Sequence, residues 1–146
     1  MSKLVPYDTT LHVRDHCLCL YVQRAARLLA RRFDDALREV GLTNQQFSLL
    51  MSLNRPQPPG IGAVAELLGM DRTTLTAALK PLERRGLARI AVDPMDRRGR
   101  TLLLTQDGEQ LLAQAVPIWN HTDSTLREVM GDVDLGRLRD DLRAVA

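Results

Sequence analysis

Long apolar runs are missing from this sequence of 146 residues. None approaches the roughly 20 residues that cross a bilayer, and the N-terminus has no export-signal pattern. The expectation is therefore a cytoplasmic protein with no membrane partner. Cysteine is scarce, with two residues, and thiols in a reducing compartment are reactive or metal-binding more often than bridged. An excess of one charge is missing too. Lys and Arg number 20 against 18 Asp and Glu, a net charge of +2, which by itself gives no reason to expect nucleic acid. Repeats, low-complexity segments and interdomain linkers are absent, so residues 1–146 read as one domain. Enzyme signatures are absent as well: no nucleophile–base set, phosphate loop or paired-histidine metal motif stands out. His12, His16 and His121 have no metal-ligand spacing of their own. An enzyme is not expected, nor a cofactor.

What is present is amphipathic periodicity and placed punctuation. Residues 1–10 read as irregular. Leu18, Val22, Ala25, Leu29, Phe33, Ala36 and Val40 recur at helical spacing and predict one helix from about Val13 to Val40. A second apolar line (Cys19, Val22, Ala26, Ala30, Phe33, Leu37) makes its first half apolar on two sides, which in so small a chain implies a partner subunit. Gly41 ends this helix and Thr43 caps the next, which runs to about Leu53 with Phe47, Leu50 and Met51 inward. The stretch Arg55–Gly60 cannot be helix. Helices are expected over Ile61–Leu68 and, capped by Asp71, from Arg72 to about Arg85, with a bend at Pro81. Short strands around Ile90/Val92 and Leu102/Leu104 follow. Thr105 then caps a long helix to Met130, kinked at Pro117, and Leu135, Leu138, Leu142 and Val145 mark a last one. The fold class is mainly α with one small β-hairpin.

Charge is distributed more tellingly than its sum. Between Arg72 and Arg100 stand Arg72, Lys80, Arg84, Arg85, Arg89, Arg97, Arg98 and Arg100, opposed only by Glu83, Asp93 and Asp96. A basic patch on a nearly neutral chain is the footprint of phosphate binding at one site. Within it, "AELLGMDRTTL" has the helix-turn-helix pattern, with Ala65 where two helices cross, Gly69 in the turn and Leu75 on a buried face. The second helix would offer Arg72, Thr73, Thr74, Thr76 and Lys80 to a major groove, while Asp71 caps it. The loop "DPMDRRGR" would then be a basic wing. Arg97, Arg98 and Arg100 suit a minor groove, Pro94 and Gly99 shape the turn, and Asp96 pairs with an arginine to aim it.

"LERRGL" followed by "DPMDRRGRTLLLTQDG" resembles the MarR family of bacterial transcription regulators, from about His12 to the end of the chain. The resemblance implies a winged helix-turn-helix over residues 43–105, with dimerisation helices at 11–40 and 106–146. It implies a homodimer on a pseudo-palindromic operator in double-stranded DNA, usually a repressor, released by a small-molecule effector or an oxidant. It also makes Arg97 and Arg98 the principal wing residues.

Cys17 and Cys19 admit three readings. On an intact helix, residues two apart point about 200° from each other and cannot easily bridge. Cys19 falls on the apolar face and Cys17 on a wetter face beside Tyr21 and Arg24. In the first, both are small apolar fillers at a helix–helix interface. As sensors, they resemble in part the organic-hydroperoxide branch of the family, with Cys19 near that branch's reactive cysteine and Tyr21 as the one nearby tyrosine. As soft-metal or metalloid ligands, His16, Cys17 and Cys19 resemble the Cys-x-Cys helix motif of the ArsR family. Trp119, with Tyr21, is a candidate lining of an inter-helical ligand crevice, or else a core or dimer-interface residue. The rival to a DNA-binding regulator is a winged-helix module that binds protein.

Overall fold

A computed structural model of the chain describes residues 4–146. The irregular N-terminus expected over residues 1–10 lies in part outside that range. Within it, helix α1 (Tyr7–His16) begins immediately after Pro6, earlier than expected. α1 buries no residue of its own subunit, so hydrophobic periodicity had no stripe to report. The single helix expected from Val13 to Val40 is broken at Cys17, whose φ −76° and ψ 103° are extended, not helical. Cys17 is the N-cap of α2 (Leu18–Leu37), its Sγ accepting the Leu20 N–H at 3.4 Å. Neither proline nor glycine marks the break.

A 3₁₀ turn (Arg38–Val40) and left-handed Gly41, at φ 70°, close this segment. α3 (Asn44–Leu53) starts with a reciprocal capping box: Gln46 N–H donates to Thr43 Oγ1, and Thr43 N–H donates to Gln46 Oε1. α4 (Ile61–Leu68) and α5 (Arg72–Arg84) follow, then β1 (Ala88–Asp93), β2 (Asp96–Leu104), α6 (Gln106–Met130) and α7 (Leu135–Arg143). α5 and α6 run on through Pro81 and Pro117. Each proline leaves unpaired the carbonyl four residues earlier. Those residues, Ala77 and Ala113, are exposed, so water can hydrogen-bond there. Among the described residues no helix is long and apolar enough to cross a membrane.

The core lies under the middle of the chain. Leu49 and Leu50 of α3, Val64 of α4, Leu75, Leu79 and Leu82 of α5, and Leu102 of β2 are fully buried. Met51 does not join them; it faces a cleft and is 40% exposed. The strands are antiparallel, Ala88 opposite Leu104 and Ile90 opposite Leu102. The proline-rich connection braces the hairpin's outer edge, with Leu102 N–H donating to Pro59 O at 2.9 Å.

One side chain ties α2 to the winged helix-turn-helix segment of residues 43–105, the reading head. Asp34 of α2 accepts from Asn44 N–H at 2.7 Å and from Asn44 Nδ2 at 2.8 Å. These two bonds hold its carboxyl below the usual carboxylate range. A depressed carboxylate pKa gives stability that is present above the unfolded-state value of about 3.9 and lost as pH falls through the folded one. Asp34→Ala should therefore cost about 1 kcal/mol at neutral pH. Thermal melts of the two proteins should converge as pH drops below about 4; a gap that stayed constant with pH would show that the charge is not what holds Asn44.

Candidate nucleic-acid interface

α4 and α5 meet around Gly69, which is left-handed at φ 64°. Ala65 is buried beneath the crossing and Leu75 has no exposure. The turn closes with Met70 N–H donating to Ala65 O at 2.9 Å. Asp71 caps α5, as its position predicted: Oδ1 accepts the Thr74 N–H at 2.7 Å and Oδ2 the Thr74 hydroxyl at 3.0 Å. The Thr74 backbone bond, then its hydroxyl, holds the Asp71 carboxyl below its ordinary value.

The expected contact residues divide by what they already do. Thr73 and Lys80 are exposed on α5 with no side-chain hydrogen bond among the described residues. The Thr74 hydroxyl is given to Asp71. Thr76 is half-buried and donates to Arg72 O at 2.8 Å. Arg72 is exposed but folds back towards α4, where a Cβ placed on Gly62 would come 2.9 Å from its Nη2. Sequence reasoning missed Ala77, exposed one turn after Thr73 on the same face. A small apolar residue there lets the helix approach a groove closely and can meet a thymine methyl. Its signal was the i, i+4 spacing from Thr73.

The hairpin differs from the expected loop. Only Pro94 and Met95 form the turn, and Asp96–Arg100 already belongs to β2. Asp93 pairs with Asp96, yet Val92 pairs with Arg100. Arg97, Arg98 and Gly99 therefore have no residue opposite them and form a bulge. Gly99 fits because a Cβ there would approach Asp93 Cβ and Asp96 O, each at 3.3 Å. Asp96 does not pair with an arginine side chain; its Oδ1 accepts the Arg98 backbone N–H at 3.0 Å. Asp93 Oδ1 does the same for Met95 N–H at 2.9 Å. Arg100 is itself a brace, its Nη1 donating to Gly99 O at 3.0 Å and Arg97 O at 3.2 Å. Arg85, counted above in the basic run, donates from Nη1 to Gly41 O at 2.9 Å. That leaves Arg97 and Arg98 exposed, with no ion pair among the described residues.

The candidate sensor residues are arranged differently from the helix expectation. Cys19 is exposed, not on a covered face, and accepts from Gln23 Nε2 at 3.2 Å. Cys17, at the helix break, is the more buried of the two. His16 stacks on His12 with ring centroids 4.3 Å apart. Among the described residues no three His, Cys, Asp or Glu side chains stand close enough to hold a metal ion. His16, Cys17 and Cys19 are thus not a ligand set within one chain.

Tyr21 and Trp119 do not share a crevice. Trp119 lies between Phe33 and Phe47, with centroids 6.4 Å away in each case, and is parallel to Phe47 within 11°. It separates a cavity of about 230 Å³, towards Ala30 and Asn44, from one of about 480 Å³, towards Met51 and Leu67. Tyr21 instead lines an open apolar groove of about 970 Å³ between α2, α6 and α7, together with Leu126, Leu138 and Leu142.

Residues 40–99 match the model of the MarR family. Transcriptional regulator HosA of Escherichia coli O111:H- is 38% identical over 84 residues, 56% of this chain and 61% of HosA. The chain thus matches less than two thirds of HosA's length. HTH-type transcriptional regulator TtmR of Methylorubrum extorquens is 32% identical over 137 residues, 90% of this chain and 70% of TtmR. Among solved structures, the M. tuberculosis transcriptional regulator MosR in complex with DNA superposes with a TM-score of 0.80 at 35% identity, covering 89% of this chain and 93% of that one.

The chain belongs to the MarR family.

Within that MarR fold, the family-model match runs from Val40, at the end of the 3₁₀ turn, through Gly99, so it contains the helix-turn-helix and the bulge. It ends before α6 and α7, which carry the exposed apolar side chains Val129, Leu138 and Leu142.

Proposed function

We propose that this MarR-family protein is a cytoplasmic, sequence-specific transcriptional regulator, a repressor that binds a pseudo-palindromic operator as a homodimer and sits on the nucleoid while bound. The observation that carries the reading is the bulge at residues 97–99, which leaves Arg97 and Arg98 without a residue opposite them and exposed, together with exposed Thr73 and Lys80 on α5. All eight basic side chains from Arg72 to Arg100 are exposed, and among the described residues only Arg85, Arg100 and Arg72 are drawn towards backbone or a neighbouring helix. Thr73, Ala77 and Lys80 would face the major groove, and Arg97 and Arg98 the minor groove. The dimer is supported by the uncovered groove of α2, α6 and α7 and by the absence of any buried residue in α1 and α7.

Release requires an effector that favours a spacing of the two reading heads unable to fit DNA. The cavities flanking Trp119 lie between the reading head and the long helices, where a small aromatic ligand would change that spacing. Oxidation at Cys17 or Cys19 is the second route, favoured by Cys17's place as the cap of α2.

The test is fluorescence anisotropy of the reduced protein on a duplex from upstream of its own gene, over a range of salt concentrations. Binding should exceed that to a scrambled duplex and fall linearly with log salt. Arg97→Ala with Arg98→Ala should weaken it roughly 10- to 100-fold, and the salt slope should drop by about 1 for each arginine lost. Unchanged affinity and slope in the double variant would remove the wing from the interface. Salt-insensitive binding without preference would favour the protein-binding module. Peroxide added to the complex, with Cys17→Ser and Cys19→Ser as controls, separates the thiol route from the ligand route.

A further inference from the structure

Met95 is 92% exposed, while the next most exposed large apolar residue of the reading head, Leu67, is 62% exposed. It is not left there by a floppy loop. Pro94 fixes its own φ, and Asp93 holds the Met95 N–H. The next residues are held by Asp96 through Arg98 N–H and by Arg100 through two carbonyls. A stiff turn thus carries an apolar side chain with nothing of its own subunit to pack on, beside two unpaired guanidinium groups. The surface that fits this combination is polyanionic at its rim and apolar within. The minor groove of duplex DNA has that character: phosphates edge it, and deoxyribose faces and base edges line it.

We infer that Met95 is an apolar wedge: it enters the minor groove at the wing tip, packs its thioether on the sugars, and opens a base step so that the duplex bends. The inference rests on the DNA-binding reading above and adds a residue that selects for deformability rather than for base edges. A flexible, unbranched thioether fits an opened step without demanding one base pair. Pyrimidine–purine steps are the easiest to open, so such a step under each wing should favour binding. Arg97 and Arg98 would supply attraction, and Met95 the bend.

The experiment uses the full chain on its upstream duplex, labelled at both ends so that energy transfer reports bending while anisotropy reports affinity. Met95→Ala should leave the melting curve unchanged, since the side chain touches nothing. It should weaken binding roughly 3- to 10-fold, move energy transfer towards the free-duplex value and abolish the preference for a pyrimidine–purine step. The salt slope should stay at the wild-type value, because no phosphate contact is lost. Wild-type affinity and bending in Met95→Ala would overturn the wedge. So would a reduced salt slope, which would mean that Met95 acts by placing the arginines. If the wild-type protein does not prefer its duplex over a scrambled one, the DNA-binding reading fails first and the wedge falls with it.

Discussion

Leu138→Asp combined with Leu142→Asp should make the protein monomeric and weaken operator binding by about 100-fold or more. Both leucines belong to α7, which buries no residue in its own subunit, and both line the groove shared with α2 and α6. They are 37% and 42% exposed, so each keeps apolar surface that a single subunit does not cover. In a dimer these positions would be covered by the partner, where an unpaired carboxylate costs several kcal/mol, far more than a typical surface change. The DNA effect follows from linkage of two reading heads. A dimer places its second head at high effective concentration over the second half-site, worth roughly 10²–10⁴ in affinity, and a monomer forfeits it. Sedimentation equilibrium measures the first effect and anisotropy the second. A double variant that stayed dimeric would take α7 out of the interface.

Gly108→Val should cost about 3 kcal/mol and lower the melting temperature by roughly 6–12 °C. A Cβ on Gly108 would lie 2.1 Å from Leu87 O and 2.8 Å from Leu104 Cδ1. The leucine side chain can rotate away. The carbonyl cannot, because it accepts the Thr105 N–H at 3.1 Å at the start of α6. Relief requires the first turn of α6 to move off the base of the hairpin. That movement strains the cap, in which Thr105 Oγ1 accepts Gly108 N–H at 3.0 Å and donates to Gly86 O at 2.6 Å. Because β1 and β2 are anchored there, DNA affinity should fall even below the melting temperature. Calorimetry checks the stability term; a variant melting within about 1 °C of wild type would mean that the backbone yields cheaply.

Much of this was legible in the sequence because it is local chemistry. Thr43, Asp71 and Thr105 cap the helices they were expected to cap, and Gly41 and Gly69 adopt the left-handed turns expected of them. The hairpin follows from alternating apolar residues on either side of Asp93–Arg100. The errors are of another kind. The break at Cys17 lies between two helical stretches with no proline or glycine to announce it, and a one-residue change in ψ leaves no mark on periodicity. The bulge is a property of pairing between strands, so the roles of Arg97, Arg98 and Arg100, alike in sequence, diverge only in register. The separation of Tyr21 from Trp119 depends on the course of α2 past α6. Met51 follows a helical spacing that cannot say which flank of α3 is covered.

The most direct measurement is hydroxyl-radical footprinting of the complex on its upstream duplex, because these radicals report contact along the minor groove. Two subunits, each with a wing carrying Arg97 and Arg98, predict two minor-groove patches of protection placed symmetrically about the site's centre. Both should be lost in the Arg97→Ala, Arg98→Ala double variant, while protection of major-groove guanines against methylation weakens but keeps its positions. A single patch, or two patches that survive the double substitution unchanged, would contradict a dimer that grips DNA through its wings.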